Sequence, residues 1–351
     1  MAEPLCVGIT RDFLTEGAGL LDDVLLEMFG SVQGVVYEHI PRGGRVAEPD
    51  QIRSYDAIIA LHLHFTPQSF EGVERLAIIA RWGVGYDMID VPACTENDIA
   101  LCITPDAVRR PVAEGVIGMM LALSKHLLIK DRLTRRGRWD EKTKYVGKVL
   151  ENRVMGCIGM GNIGAEVLRL LKPFDMARFL VYDPYVSAEQ AAAIGAALVD
   201  LDTLLRESDF VSINCPLTEE TYHLLSEREF SLMKPTAYLI NTARGPIIDQ
   251  VALTKALQAG KIAGAALDVF EKEPIAPDDP LIEMENVILS PHGIAWTEEL
   301  SRGNGVGACQ NVLTVLRGDE PQHVVNRQVM NRPGFRTKLS RLRQRWQALS
   351  G

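Results

Sequence analysis

Val154-Met155-Gly156-Cys157-Ile158-Gly159-Met160-Gly161-Asn162-Ile163-Gly164 is a short apolar run that passes directly into a Gly-x-Gly-x-x-Gly turn, and a helix-forming stretch, Ala165 to Leu171, follows. Each glycine has a separate physical task in such a turn. Gly159 makes the tight reversal, Gly161 lets backbone approach a pyrophosphate, and Gly164 lets helix and strand pack closely. Free N–H groups at the helix start, those of Asn162 and Ile163 among them, hold phosphates with the helix dipole behind them. Three glycines at this spacing also occur in plain turns, so the next strand decides the reading. Arg178-Phe179-Leu180-Val181-Tyr182-Asp183 ends in a carboxylate, 183 − 164 = 19 residues after the last glycine. A dinucleotide fold places there the acid that accepts hydrogen bonds from the adenosine ribose. A carboxylate repels a 2′-phosphate, and Pro184 follows instead of an arginine. The expected cofactor is therefore NAD rather than NADP.

A chain of 351 residues is too long for one ordinary core, and two domains are the natural expectation. The net charge of −9 argues against a general binder of nucleic acid or anionic membranes. No run approaches the length of a membrane span, and the first residues lack the plan of a signal peptide. The six cysteines are scattered without close pairs, which suggests free thiols in a reducing cytoplasm and no metal site.

Before Val154, short apolar runs alternate with helix-like segments: Leu5–Ile9, Val35–Tyr37, Ala57–Ala60, Leu76–Ala80 and Ala100–Ile103 read as strands, and Leu20 to Phe29 as a helix. Continuous apolar strands between helices imply a parallel sheet covered on both faces. A long helix is expected from Val112 to Leu128, after Pro111, and Arg132 to Lys148 reads as an exposed excursion carrying Trp139, suited to a homodimer arm. From Val154 the strand–helix rhythm restarts, with strands at 155–158, 179–182, 210–214, 238–241, 264–267 and 287–289. Gly260 ends a helix over Val251–Ala259. Thr297 caps a last helix, Glu298 to Leu316, that returns to the first domain. The expected architecture is α/β with two domains: 1–108 plus 298–351, a flavodoxin-like substrate domain, and 109–297, an inserted Rossmann NAD-binding domain. The basic tail from Asn331 onward reads as a solvated segment lying on an acidic body.

Three late strands deliver polar clusters at their C-terminal ends, where open parallel sheets bind ligands. These are Asn241-Thr242-Ala243-Arg244-Gly245, Asp268 to Pro274, and Ser290-Pro291-His292-Gly293. Arginine grips a carboxylate in bidentate fashion. Histidine protonates a carbonyl oxygen as hydride reaches carbon, and a neighbouring glutamate orients and charges it. Together they suggest carbonyl reduction.

With these motifs the chain resembles the D-isomer-specific 2-hydroxyacid dehydrogenase family, which includes phosphoglycerate, formate and phosphite dehydrogenases and glycerate/hydroxypyruvate reductases. The resemblance covers roughly residues 50 to 325. Besides the motifs above it rests on Gly83-Val84-Gly85-Tyr86-Asp87, Val112-Ala113-Glu114 and Asn214-Cys215-Pro216-Leu217-Thr218. It implies that Arg244 binds the substrate carboxylate and carbonyl, that His292 is the acid/base, and that Glu273 is its partner, with Glu271 a nearby competitor. It places Asp268 on the nicotinamide side and Cys215 and Pro216 on the adenosine side, with Thr242, Ala243 and Gly293 as further cofactor contacts. The Val84–Gly85 backbone would bind the substrate carboxylate. The resemblance also implies a homodimer joined through the nucleotide domains, and a small anionic 2-hydroxy or 2-oxo acid held between the domains.

Met88 departs from the Asn usual in the family, and Lys125 stands where an Arg often sits. Arg109 and Arg110 are candidates for gripping a second anionic group, with solvated arginines as the alternative. His62 and His64, spaced by two after the third strand, would put both imidazoles on one face, and His64 is a candidate substrate contact. Alternatives to hydroxyacid chemistry are a phosphite- or formate-type dehydrogenase on the same scaffold and a nucleotide-sensing corepressor-like protein.

Overall fold

In the computed structural model, which describes residues 3–15, 21–41 and 43–350, the chain divides into two units, Met1–Val108 with Thr297–Gly351, and Arg109–Trp296. Thr297 belongs to the first unit, not to the second as the range 109–297 assumes. Its side chain accepts the Leu300 N–H (3.2 Å) and starts the Glu298–Leu316 helix of that unit.

The first unit holds a parallel sheet of β1 (Leu5–Ile9), β2 (Val35–His39), β3 (Ala57–Ala60), β4 (Ile78–Arg81) and β5 (Ala100–Cys102), in the order β2-β1-β3-β4-β5. That is the flavodoxin-type order. β4 starts two residues later than its apolar run: Leu76 and Ala77 are buried, but the ladder with β3 begins at Ile78. Apolar residues report burial there, not pairing. The first helix spans Asp22–Phe29; Leu20, expected to begin it, lies outside the described residues.

The basic tail is not a loose segment. Pro333–Ser350 is a helix whose Phe335, Leu339 and Leu342 are buried. Its cations go to acids and carbonyls of the same unit: Arg345 to Asp56, Arg343 to Asp319, Arg336 to Glu320, and Lys338 to the Leu76 and Asn97 carbonyls (2.7 and 2.8 Å). The acidic body was expected; the apolar stripe at 335, 339 and 342 that turns the tail into a packed helix was overlooked.

The second unit holds a seven-stranded parallel sheet: β6 (Val154–Ile158), β7 (Arg178–Tyr182), β8 (Ala197–Leu198), β9 (Phe210–Ile213), β10 (Tyr238–Asn241), β11 (Gly264–Leu267) and β12 (Val287–Leu289), in the order β12-β11-β10-β9-β6-β7-β8. β8 was missed because two residues pairing at the sheet edge carry no periodic signal. Period-two alternation sends Val154 and Ile158 of β6 into one core and Met155 and Cys157 into the other. Both faces are therefore dry, which explains the unbroken apolar strands. Strand order reverses at β6, with β7 on one side and β9 on the other, so a switch-point crevice opens where the glycine turn begins.

The long helix runs Pro105–Ser124, through Pro111, rather than Val112 to Leu128. His126, in the left-handed region at φ 51°, separates it from a second helix, Leu127–Arg135, whose end runs into the stretch expected to be an excursion. Trp139 is 65 % exposed. All six cysteines are free. Among the described residues no single helix is long and apolar enough to cross a membrane.

Candidate active site

The glycine turn is shaped by what its glycines exclude. A Cβ on Gly159, at φ 89°, would sit 2.7 Å from the Cys215 nitrogen, and one on Gly164 2.2 Å from the Gly159 carbonyl oxygen. Only hydrogen fits at either place. Gly161 differs: a Cβ there would meet nothing within 4 Å. Nothing inside the protein demands that glycine, so the open space beside it fits a phosphate approaching the Asn162–Leu171 helix start. Beneath the turn, the buried Cys157 thiol lies 3.1 Å from the Gly159 carbonyl and accepts from the Asn214 amide (3.1 Å). Burial pushes that thiol up to about 12.

Asp183 does more than end β7. One carboxylate oxygen accepts the Met160 N–H (2.8 Å) and the other the Tyr185 N–H (2.9 Å), so the acid also clamps the glycine turn. Each oxygen keeps a lone pair for a ribose hydroxyl. The residues present thus fit a dinucleotide with a free 2′-hydroxyl.

The chemistry-bearing side chains stand at the ends of β10, β11 and β12. Asn241 is fully buried; its Oδ1 accepts the Ala243 N–H (3.0 Å) and its Nδ2 donates to the Arg244 carbonyl (2.9 Å), which folds Thr242–Arg244 into a fixed turn. Arg244 Nη1 donates to the Ala243 carbonyl (2.7 Å). After β11, Asp268 is 4 % exposed and holds the histidine loop. Its Oδ1 accepts from Gly293 (2.9 Å) and Ile294 (3.0 Å), and its carbonyl accepts the His292 N–H (2.8 Å). His292 sits at φ 51°, a conformation an L side chain holds only when its surroundings enforce it. Asp268 supplies that enforcement. The sequence reading gave this residue only a place beside the nicotinamide; its grip on the histidine loop had no signal in the chain order.

His292 Nδ1 lies 2.8 Å from Glu273 Oε2, and Glu273 Oε1 accepts the Phe270 N–H (3.0 Å). Burial pushes the Glu273 carboxyl up, but the His292 hydrogen bond and charge, the Phe270 N–H and the Arg244 charge outweigh it. Glu273 is held below its ordinary value, an anion beside the imidazole. Glu271, the competitor, bonds instead to His223 Nε2. Arg244, Glu273 and His292 therefore form one cluster in the second unit.

Other candidates fall elsewhere. Arg110 is committed to Glu114 and Glu166 (3.5 Å to the latter), and Arg109 is exposed with its charge also acting on Glu166. Glu166 is held chiefly by Arg169, at 2.6 and 2.8 Å. In the first unit, Val84 and Gly85 lie half-buried in a bend pinned by Thr104, whose hydroxyl accepts the Gly83 N–H (2.7 Å). His64 is exposed; its N–H donates to the Arg45 carbonyl (2.9 Å). β3 ends at Ala60 and the chain bends at 61–62, so the alternation that would align His62 with His64 does not apply.

A parallel sheet with a glycine turn at its switch point, a ribose acid, and an arginine, glutamate and histidine at neighbouring strand ends define a nicotinamide-dependent oxidoreductase. Comparison with known proteins agrees. Residues 117–293 match the model of the D-isomer specific 2-hydroxyacid dehydrogenase NAD binding domain. The chain is 39 % identical over 292 residues to a glyoxylate reductase of Korarchaeum cryptofilum, covering 82 % of this chain and 88 % of that one. It is 41 % identical over 262 residues to a D-3-phosphoglycerate dehydrogenase of Methanocaldococcus jannaschii, covering 74 % of this chain and 49 % of that one. A crystal structure of a glyoxylate reductase from Paecilomyes thermophila superposes with a TM-score of 0.80 at 28 % identity, covering 93 % of this chain and 99 % of that one. The chain belongs to the D-isomer-specific 2-hydroxyacid dehydrogenase family and is an NAD-dependent enzyme of that class.

Proposed function

We propose that the protein reduces a small 2-oxo acid to its D-2-hydroxy acid, or runs the reverse, with His292 as acid/base, Glu273 as its partner and Arg244 binding the substrate carboxylate and carbonyl. The observation that carries the reading is the 2.8 Å pairing of His292 Nδ1 with Glu273. It commits Nδ1 to the carboxylate and leaves Nε2 to exchange a proton with the substrate oxygen. When bound, the nicotinamide supplies or accepts the hydride at the carbonyl carbon. Gly159–Gly164, Asp183, Cys215, Pro216, Thr242, Ala243, Asp268 and Gly293 would hold that cofactor, and Val84, Gly85, His64 and Arg109 would meet the substrate. Glu273 as an anion favours the imidazolium that donates in reduction and takes up the proton's charge in oxidation. A formate-type reaction releases carbon dioxide with no alcohol proton to move, so it needs this pair less.

Relatives named glyoxylate reductase put glyoxylate first among substrates to test, with hydroxypyruvate beside it. The decisive assay follows NADH consumption with a panel of 2-oxo acids. Turnover of at least one, with the D product where the product is chiral (glycolate from glyoxylate is not), supports the reading; no turnover across the panel overturns it. We further propose a cytoplasmic homodimer joined through the nucleotide-binding unit. Leu127, Trp139, Val146 and Val149 are 57, 65, 76 and 54 % exposed along one stretch of it, a concentration of bare apolar surface that suits an interface. Light scattering at the monomer mass would refute this.

A further inference from the structure

The second unit contains another histidine–glutamate pair, which the reaction above does not use. His223 Nε2 bonds to Glu271, two residues from Glu273, and the Tyr222 ring stacks on the His223 ring at 4.1 Å. Both side chains are about a third exposed (33 and 30 %). Like His292, His223 sits in the left-handed region, at φ 50°. Its backbone N–H donates to the Pro246 carbonyl (2.9 Å), just beyond Arg244. Upstream, the Thr221 hydroxyl donates to the Pro216 carbonyl (2.7 Å) and accepts the Thr218 N–H (2.7 Å). On the other side, the Glu271 N–H donates to Gln250 Oε1 (3.1 Å), and Phe270 is the residue whose N–H holds Glu273. One imidazole thus joins two segments: the stretch leading from Cys215–Pro216, and the loop carrying Glu273.

We propose that His223 and Glu271 form a positioning latch that fixes the Glu273 loop to the segment running from Cys215–Pro216, so that cofactor seating and the His292–Glu273 geometry are set together. The latch rests on the functional reading above. Neither residue touches the reacting atoms; each acts through its loop. Glu273 faces His292 only while residues 270–273 keep their path, and the side-chain bond from His223 to Glu271 ties that path, beside the core packing of Phe270, to a segment outside the helix that Gln250 begins. Asp249, which caps that helix through the Ala252 N–H (2.9 Å), is a second acid whose charge couples to His223, and its carboxylate is bonded to Ala252, Ser226 and Val251. Glu271 is left to the histidine. Small displacements of a catalytic pair carry large rate penalties, up to about a hundredfold for roughly 1 Å.

The test compares wild type, His223→Leu, Glu271→Ala, the double variant and His223→Gln, which keeps a donor at the reach of Nε2. NADH affinity is read by fluorescence titration, kcat and KM with the best 2-oxo acid, and folding by circular dichroism melting. Each single variant should lower kcat about tenfold and raise the NADH Kd several-fold, with KM for the oxo acid changed by less than about threefold. The double variant should be no worse than the poorer single one, because both remove the same bond. His223→Gln should recover most of the loss. Additive losses in the double variant, or a lowered melting temperature with wild-type kcat and NADH Kd, overturn the latch. Should wild type turn over none of the acids, the functional reading fails, and NADH affinity alone decides the latch: a raised Kd in both single variants supports it, an unchanged one overturns it.

Discussion

Asp268→Asn isolates the charge of the residue that holds the His292 loop. Asp268 Oδ1 accepts two backbone bonds, from Gly293 at 2.9 Å and Ile294 at 3.0 Å. A hydrogen bond to a charged group contributes about 1.5–3 kcal/mol and a neutral one about 0.5–1.5 kcal/mol. Exchanging carboxylate for carboxamide therefore costs about 1–1.5 kcal/mol per bond, or about 2–3 kcal/mol for the two. Relief from burying a charge makes this an upper figure. For a unit of this size it corresponds to a fall of roughly 4–12 °C in melting temperature. Asp268→Ala removes the acceptor, leaves two N–H groups without a partner and should cost more. Because these bonds hold His292 in its left-handed conformation, kcat should fall with stability, about tenfold for Asn and a hundredfold for Ala. The assay pairs calorimetric melting with steady-state turnover, and adds an NADH titration. Were the residue's main task to hold the cofactor, Asp268→Asn would raise the NADH Kd and leave melting unchanged. That result would refute the clamp.

His292→Gln should lower turnover by about 10²–10⁴-fold, the usual worth of general acid–base catalysis, while NADH titration finds the Kd within about twofold of wild type. Asp183→Asn removes charge-assisted bonds to the ribose worth about 1.5–3 kcal/mol each, so the NADH Kd should rise about tenfold or more and NADPH should gain relative to NADH in the same titration. Glu273 has a folded-state pKa below its unfolded value of about 4.3, so its contribution to stability is present above that pH and is lost as pH falls through the lower folded value. The melting difference between wild type and Glu273→Gln should therefore persist from neutrality to about pH 4.3 and shrink only below it. A difference that vanishes already near pH 6 contradicts a depressed Glu273.

Much of the architecture was legible because it rests on local rules. Cys157–Ile158 running into Gly159–Gly164, and Asp183 nineteen residues on, are spaced by the geometry of one strand–helix–strand unit, and the structure builds that unit there. What failed was of two kinds. Signals too short or too ambiguous misplaced boundaries: the two-residue β8, the buried Leu76–Ala77 that join no ladder, and Pro111, after which a helix was expected to start but which lies inside one. Contacts between residues distant in the chain were legible only where the family resemblance supplied them, as it did for Glu273 and His292. Nothing in the order of residues says that Glu271 turns to His223, that Arg110 comes within 3.5 Å of Glu166, or that Asp268 grips residues 292–294. Those pairings are set by how three strand ends meet, and a single sequence does not record that.

The central claim is that His292 and Glu273 move a proton to and from a 2-oxo acid while NADH delivers hydride. Its most direct measurement is the pre-steady-state course of NADH oxidation by glyoxylate and hydroxypyruvate in wild type and His292→Gln, each saturated with NADH. Rapid oxidation in wild type, slowed by at least about a hundredfold in the variant at full NADH occupancy, is the expected result. Equal rates in the two proteins would contradict it.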